Sequence, residues 1–259
     1  MKLTDNFWHL VVLDRAILGS SYVSLFAVEQ VLTLKMPLAL EVVNLRHSFQ
    51  TDAGTIEVLK GLNFSLAAGR VLAIVGPSGS GKSTLLHLLG GLETPTLGDV
   101  RWGGISLVGA SQEALASRRA HEVGFVFQHH YLLEDLTTFE NVALPGLIAG
   151  QPNDERALEL LKRVGLENRV GFFPRVLSGG ERQRAALARS VMTKPRLVLA
   201  DEPTGSLDRK NAEVVFLMLI ELARRENTAV VVVTHDESLV SLVDEVIRLE
   251  DGKIVNPLK

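Results

Sequence analysis

The run Gly76-Pro77-Ser78-Gly79-Ser80-Gly81-Lys82-Ser83-Thr84 combines flexible glycines, a lysine and hydroxyl side chains within nine residues. Glycines let a backbone curl until several N–H groups point at one anion, and a helix starting near Lys82 adds the positive end of its dipole. Lys82 can reach the β- and γ-phosphates of a nucleotide, and the Ser83 hydroxyl can ligate Mg2+. The apolar run Val71–Val75 precedes this loop and a helix-prone stretch from Thr84 to Leu89 follows it, which is the strand–loop–helix setting a phosphate loop needs. Taken alone, the loop indicates ATP or GTP and no more.

A second place for chemistry follows the apolar run Leu197–Ala200, which ends in Asp201 and Glu202. A parallel strand brings its carboxyl end to the sheet edge where ligands bind. Asp201 can there hold Mg2+, and Glu202 can orient and deprotonate an attacking water. Acidic pairs after strands are commonly solvated turns; the phosphate loop and the following Pro203-Thr204-Gly205-Ser206-Leu207-Asp208 favour catalysis. A third place is Leu177-Ser178-Gly179-Gly180-Glu181-Arg182-Gln183-Arg184. Ser178, Gly179 and Gly180 open a basic helix without bulky side chains, so its bare amides make another anion site. One chain therefore carries two separate phosphate-binding surfaces.

These residues need strands to hold them. Val71–Val75, Val123–Phe127, Leu197–Ala200 and Ala229–Val233 are compact apolar runs without alternation, as expected for parallel strands covered by helices on both faces. Glu41 to Phe49 and Leu62 to Leu66 alternate more and predict an antiparallel lobe. Gly103-Gly104 and Asp251-Gly252 read as hairpin turns. Between Gln128 and Leu177 the pattern becomes helical: Asn153 is an N-cap, residues 157–164 carry an apolar stripe, and Gly165 ends the helix.

The bulk properties exclude several classes. The 259 residues are 46% hydrophobic, enough for one large domain or a core with a smaller lobe. A net charge of -3 supplies no general attraction to nucleic acid or anionic lipid, and no nucleic-acid partner is expected. The absence of cysteine rules out disulfides and thiolate metal sites. No stretch has the roughly 20 continuous apolar residues of a membrane span, so membrane association must run through a partner. The first 35 residues have apolar segments broken by Asp14, Arg15, Glu29 and Gln30, and lack a signal peptide's plan. They read as an accessory extension or a start assigned too far upstream, the second being preferred, with the domain proper at 36–259.

The phosphate loop together with the Ser-Gly-Gly turn resembles the ATP-binding subunit of an ATP-binding-cassette (ABC) transporter, from about Leu40 to the C-terminus. The resemblance implies an α/β P-loop NTPase fold with a mainly parallel core sheet, an antiparallel β lobe and an inserted helical lobe at about 129–177. It implies ATP and Mg2+ as ligands, with Gln128 touching the metal or the attacking water and His235 contacting the γ-phosphate. Phe49 takes the place of the aromatic that stacks on adenine; stacking needs only a π-face. It also implies a head-to-tail homodimer in which the Ser-Gly-Gly turn of one subunit closes over ATP held by the other, with Asp208 in the loop that crosses the interface.

At subgroup level, Ser83 to Leu92, His129 to Asp135 and Glu140 to Pro145 are similar to the branch that releases outer-membrane lipoproteins. The longer loop Gln50 to Val58 fits that branch and its macrolide-exporter relatives, while Ser206 departs from an expected Asn. That resemblance implies two integral membrane permease subunits and a place on the cytoplasmic face of the inner membrane. The alternatives are a macrolide or peptide exporter of the same branch and a signalling ATPase of cell division.

Overall fold

The central strands are short and rich in β-branched residues, and each places alternate side chains in one of two cores. The computed structural model describes residues 37–52 and 54–255. The expectation for residues 1–35 lies outside them. In chain order the elements are β1 (Leu38–Thr51), β2 (Gly54–Ala67), β3 (Val71–Val75), α1 (Lys82–Leu89), β4 (Leu97–Trp102), β5 (Ile105–Ser106), α2 (Gln112–Glu122) and β6 (Val123–Phe127). They continue with α3 (Thr138–Ile148), α4 (Asp154–Arg163), α5 (Gly179–Ser190), β7 (Leu197–Asp201), α6 (Arg209–Arg225), β8 (Ala229–Val233), β9 (Glu245–Glu250) and β10 (Lys253–Ile254).

Two sheets form. One has the order β2-β1-β4-β5 and is antiparallel; the other has the order β10-β9-β3-β8-β7-β6, parallel except for β10. The four expected parallel strands are all present. A fifth, β9, runs parallel to β3. Locally β9 reads only as one arm of the Asp251-Gly252 hairpin, because its apolar residues are few and are broken by Arg248 between Glu245 and Glu250. Both predicted hairpin turns occur, with positive φ at Gly103, Gly104, Asp251 and Gly252. Helices α2 and α6 went unread. Only Leu115 is buried on α2, so no apolar stripe announces it.

The expectation that helices cover both faces of the parallel sheet needs a correction. Val71, Val198, Ala200, Val230 and Val232 pack against α3–α6 on one face. Leu72, Ile74, Leu197, Leu199, Val231 and Val233 pack on the other against α1 and against Leu40, Leu45, Leu59 and Leu62 of the antiparallel sheet. Continuous apolar runs report that both faces are covered, not what covers them.

The helical segment after β6 is held by buried polar anchors. Asn141 is fully buried; its amide donates to the carbonyls of Leu133, Leu136 and Thr137, each at 3.0 Å, and accepts from Leu133 N–H at 2.8 Å. Asn153 caps α4 through Arg156 N–H, and Gly165, at φ 68, follows its end. Arg156 then reaches the Val191 and Met192 carbonyls at 2.7 and 2.8 Å and the Glu226 carboxylate at 3.2 Å, fixing α4 to the segments after α5 and α6.

Gly124 sets the distance between β6 and α5. A Cβ built there would lie 2.0 Å from the Ser190 carbonyl oxygen. Gly124→Ala therefore pushes α5 off the sheet. The expected loss is about 2–3 kcal/mol of unfolding free energy, the upper end of overpacking costs because the obstacle is backbone. Chemical denaturation of the variant measures it.

Candidate functional site

The carboxyl ends of the parallel strands finish in one row. Phe127 pairs with Asp201, Asp201 with Val233, and Val233 with Ile74. The next residues on each strand are Gln128, Glu202, Thr234 and Val75, so four segments remote in sequence open at a single edge. This is the edge at which parallel sheets bind ligands.

The phosphate loop leaves β3 there. Gly76 has φ 156, and a Cβ on it would strike the Leu249 carbonyl oxygen at 2.1 Å. Gly81, at φ 100, begins α1 with no side-chain cap, which leaves the first amides of that helix for a ligand. A Cβ on Gly81 would lie 2.9 Å from a Leu59 methyl, so β2 closes one side of the loop. The Lys82 ammonium donates to the Gly76 and Pro77 carbonyls at 2.9 and 2.8 Å, which holds its charge over the loop.

Across the row, the Ser83 hydroxyl faces the Asp201 carboxylate closely enough to favour its charged form. Burial, helped by the Glu202 charge, pushes the Asp201 carboxyl above its ordinary range; the Ser83 hydroxyl and the His87 and Lys82 charges offset part of this. A half-buried carboxylate beside a hydroxyl is a hard-oxygen donor pair, and a divalent cation would relieve the burial cost. Mg2+ fits Ser83 and Asp201, and takes its other ligands readily from substrate phosphates. Among the described residues no group of three or more His, Asp or Glu side chains could cage a metal alone.

Glu202 sits at φ 45, a left-handed conformation that costs a non-glycine residue about 1 kcal/mol or more. Its N–H donates to the Val233 carbonyl at 2.9 Å, and its carboxylate lies 2.8 Å from His235 Nδ1. The strained turn thus swings the carboxylate out of the strand and onto β8's continuation. His235 is 73% exposed and Glu202 only 19%, so the pair bridges protein and solvent at an open cleft lined also by Thr204, Gly205 and Leu207. The Gln128 side chain lies against Gly205, and the Gln128 backbone carbonyl accepts from Ser206 Oγ at 3.4 Å. The structure therefore brings Gln128 to the turn after Glu202. It also places Lys82, Ser83 and Asp201 together, and Glu202 with His235.

Ser178, Gly179 and Gly180 lie at the start of α5. Ser178 and Glu181 form a capping box that satisfies the N–H groups of both. That leaves the Gly179 and Gly180 amides for an outside anion. A Cβ built on Gly179 or Gly180 would only touch Leu207 or the Arg184 guanidinium, at 3.9 and 3.8 Å, so neither glycine is pressed against the rest of the fold. Hydrogen bonds from the Ser178 backbone and from Arg169 hold the Glu181 carboxyl down to about 2. The S-x-x-E spacing was the sequence signal for this cap, and the reading above did not use it.

Two further residues were missed because only the fold reveals them. Gln183, fully buried, donates to the Phe127 carbonyl at 3.1 Å; Arg189 donates to the His130 and Tyr131 carbonyls at 2.6 Å each. Together they fasten α5 to both sides of Gln128. Phe49 stands apart from the row, 41% exposed, near the β2 residues that close the phosphate loop. Asp208 accepts from the Asn211 backbone at 3.1 Å, at the start of α6.

With Glu202 as the candidate base, Glu202→Gln keeps the shape and the site's nucleotide contacts but removes proton acceptance. Nucleotide binding should persist while the hydrolysis rate falls by roughly 100-fold or more, the usual scale for losing a general base. Equilibrium binding and phosphate release on one preparation measure both.

Comparison with known proteins agrees with this geometry. A family model described as ABC transporter matches residues 59–205. Among solved structures, the chain is similar to the ATP-binding cassette MJ0796, described as dimeric in a post-hydrolysis state bound to ADP and Pi. The TM-score is 0.78 and the identity 36%, over 85% of this chain and 98% of that one. It is also similar to cbiO1 from Clostridium perfringens, described as part of the ABC transporter complex cbiONQ. There the TM-score is 0.75 and the identity 27%, over 85% of this chain and 88% of that one. The family match and the likeness in fold and sequence together place the chain in the ABC transporter ATP-binding family.

Proposed function

We propose that the chain is the ATP-hydrolysing subunit of an inner-membrane transporter that releases lipid-anchored proteins for transfer to a periplasmic carrier. In this reading, residues 76–84 hold the phosphates of ATP, Lys82 neutralises the β- and γ-phosphates, and Phe49 stacks on the adenine. Mg2+, held by Ser83 and Asp201 with Gln128 nearby, would neutralise phosphate charge. Glu202 takes a proton from the attacking water, whose oxygen bonds to the γ-phosphorus as the bond to the bridging oxygen of ADP breaks. His235, paired to Glu202, faces the same γ-phosphate.

The active unit is a homodimer. The observation that carries this is the Ser178–Gly180 turn, whose capping box leaves two glycine amides without a partner from the cap, while the chain's own phosphate loop is built elsewhere. A second copy's ATP supplies that anion.

Coupling to a membrane is also proposed. No helix among the described residues is long and apolar enough to cross a membrane. A groove of about 310 Å3 on α3 and the start of α4, lined by Leu136, Phe139, Leu144 and Leu147, suits a short amphipathic segment of a permease subunit. Two such subunits would sit on the dimer. Gln183 and Arg189 give a route from α5 to the segment after Gln128, so the nucleotide state can move that groove.

The cargo assignment rests on the Ser83–Leu92, His129–Asp135 and Glu140–Pro145 stretches. Depletion in a cell with an outer membrane should strand lipoproteins in the inner membrane, read by membrane fractionation. Normal sorting accompanied by a defect in drug export or in division would reassign the cargo to an exporter or to a signalling role.

A further inference from the structure

His47 is an unusual residue for its place. It lies on β1 opposite Leu59, buried to 8% exposure, where a leucine or phenylalanine would fill the core as well. Neither ring nitrogen makes a hydrogen bond within the protein. A buried polar group without a partner costs stability, so the imidazole is a poor choice for packing alone. What it does contact is specific. Its ring meets Phe49 edge to face, with centroids 4.7 Å apart and planes at 83°. On its other side, Nε2 lies 3.4 Å from Glu93 Oε2.

Glu93 in turn faces His87 Nδ1 through its second oxygen, also at 3.4 Å. His87 belongs to α1, the helix that starts at the phosphate loop. The residue opposite His47, Leu59, carries the methyl that abuts Gly81 of that loop. Phe49, His47, Glu93 and His87 therefore form a continuous path from an exposed aromatic ring to the phosphate-loop helix.

We infer that His47 is a positioning residue for nucleobase recognition: its buried ring, lodged beside Glu93, holds the Phe49 ring edge-on. The inference rests on the reading of Phe49 as the base platform. An exposed phenylalanine otherwise samples rotamers on the ps–ns scale and must be ordered when a base stacks on it. A T-shaped contact with a buried, anchored ring removes that freedom in advance. The benefit appears as affinity for the base and leaves the phosphates untouched.

The test uses the full chain and two probes, ATP and inorganic tripolyphosphate, which has the phosphates but no base. His47→Gln keeps a polar group toward Glu93 and removes the ring. It should weaken ATP binding roughly three- to tenfold, the scale of ordering one side chain. Tripolyphosphate affinity should not change, and steady-state turnover should show a raised KM at constant kcat. His47→Phe keeps a ring in the same place and should hold ATP within about twofold of the wild type, because edge-to-face packing does not require nitrogen. Adding His47→Gln to Phe49→Ala should cost nothing further, since the platform it positions is gone.

Equal weakening of ATP and tripolyphosphate would mark a general structural role and overturn the inference. So would a full additional loss on top of Phe49→Ala, or loss in Phe49→Ala with none in His47→Gln. If Phe49→Ala itself leaves ATP affinity intact, the base-platform reading fails and the inference falls with it, a result separable from the others by that single variant.

Discussion

Everything at this site depends on the register of the parallel strands. Because Phe127, Asp201, Val233 and Ile74 are paired across β6, β7, β8 and β3, the chain leaves all four strands at the same height. A slip of one residue would turn each strand's side chains to the opposite face, so the two cores lock the register. Side chains of β3, β7 and β8 are divided between those cores, and each fully buried Val or Leu contributes about 1.5–3 kcal/mol. The alignment of catalytic groups is thus enforced by packing energy some distance from the chemistry. The strain at Glu202 is affordable for the same reason: its N–H is anchored to Val233 on a strand that cannot move.

The second dependence is on two helix starts of opposite character. The first turn of α1 has no side-chain cap, and its amides are left for a phosphate. On α5, a Ser178–Glu181 box caps part of the first turn, yet the glycine amides between them stay open. The same chain therefore leaves one helix start wholly without a side-chain cap and another only partly capped. Helix α5 is no passive support, because Gln183 and Arg189 bind it to the segment around Gln128. A ligand that pulls on the Ser-Gly-Gly turn pulls through a buried side chain on the end of β6.

How much of this was legible in the sequence depends on the range of the interaction involved. The phosphate loop, the Asp201-Glu202 pair and the Ser178–Gly180 turn were readable because each is a local pattern tied to a neighbouring strand or helix. Asn153 and Gly165 marked the ends of α4 for the same reason. The Glu202–His235 contact joins residues 33 positions apart and depends on a left-handed backbone at Glu202, which no local pattern encodes. Strand β9 escaped as a parallel strand because Glu245, Arg248 and Glu250 interrupt its apolar residues, so it lacks the continuous run of the other four. The antiparallel lobe was legible in the alternation of its strands, but not that it covers one face of the parallel sheet, because hydrophobic runs are silent about the identity of the covering layer. No local pattern marks His47; its burial and its contacts with Phe49 and Glu93 belong to the fold.

The central claim is that one ATP is enclosed by the phosphate loop of one subunit and the Ser-Gly-Gly turn of another. Mixed dimers of a Lys82→Ala chain with a Ser178→Arg chain test it directly. In a shared-site dimer both lesions fall in one site, and the other site combines an unmutated loop with an unmutated turn. Verified mixed dimers should then trap nucleotide at one site, while each homodimeric variant traps none. If mixed dimers trap no nucleotide at all, each chain completes its own site, and the account of the dimer is wrong.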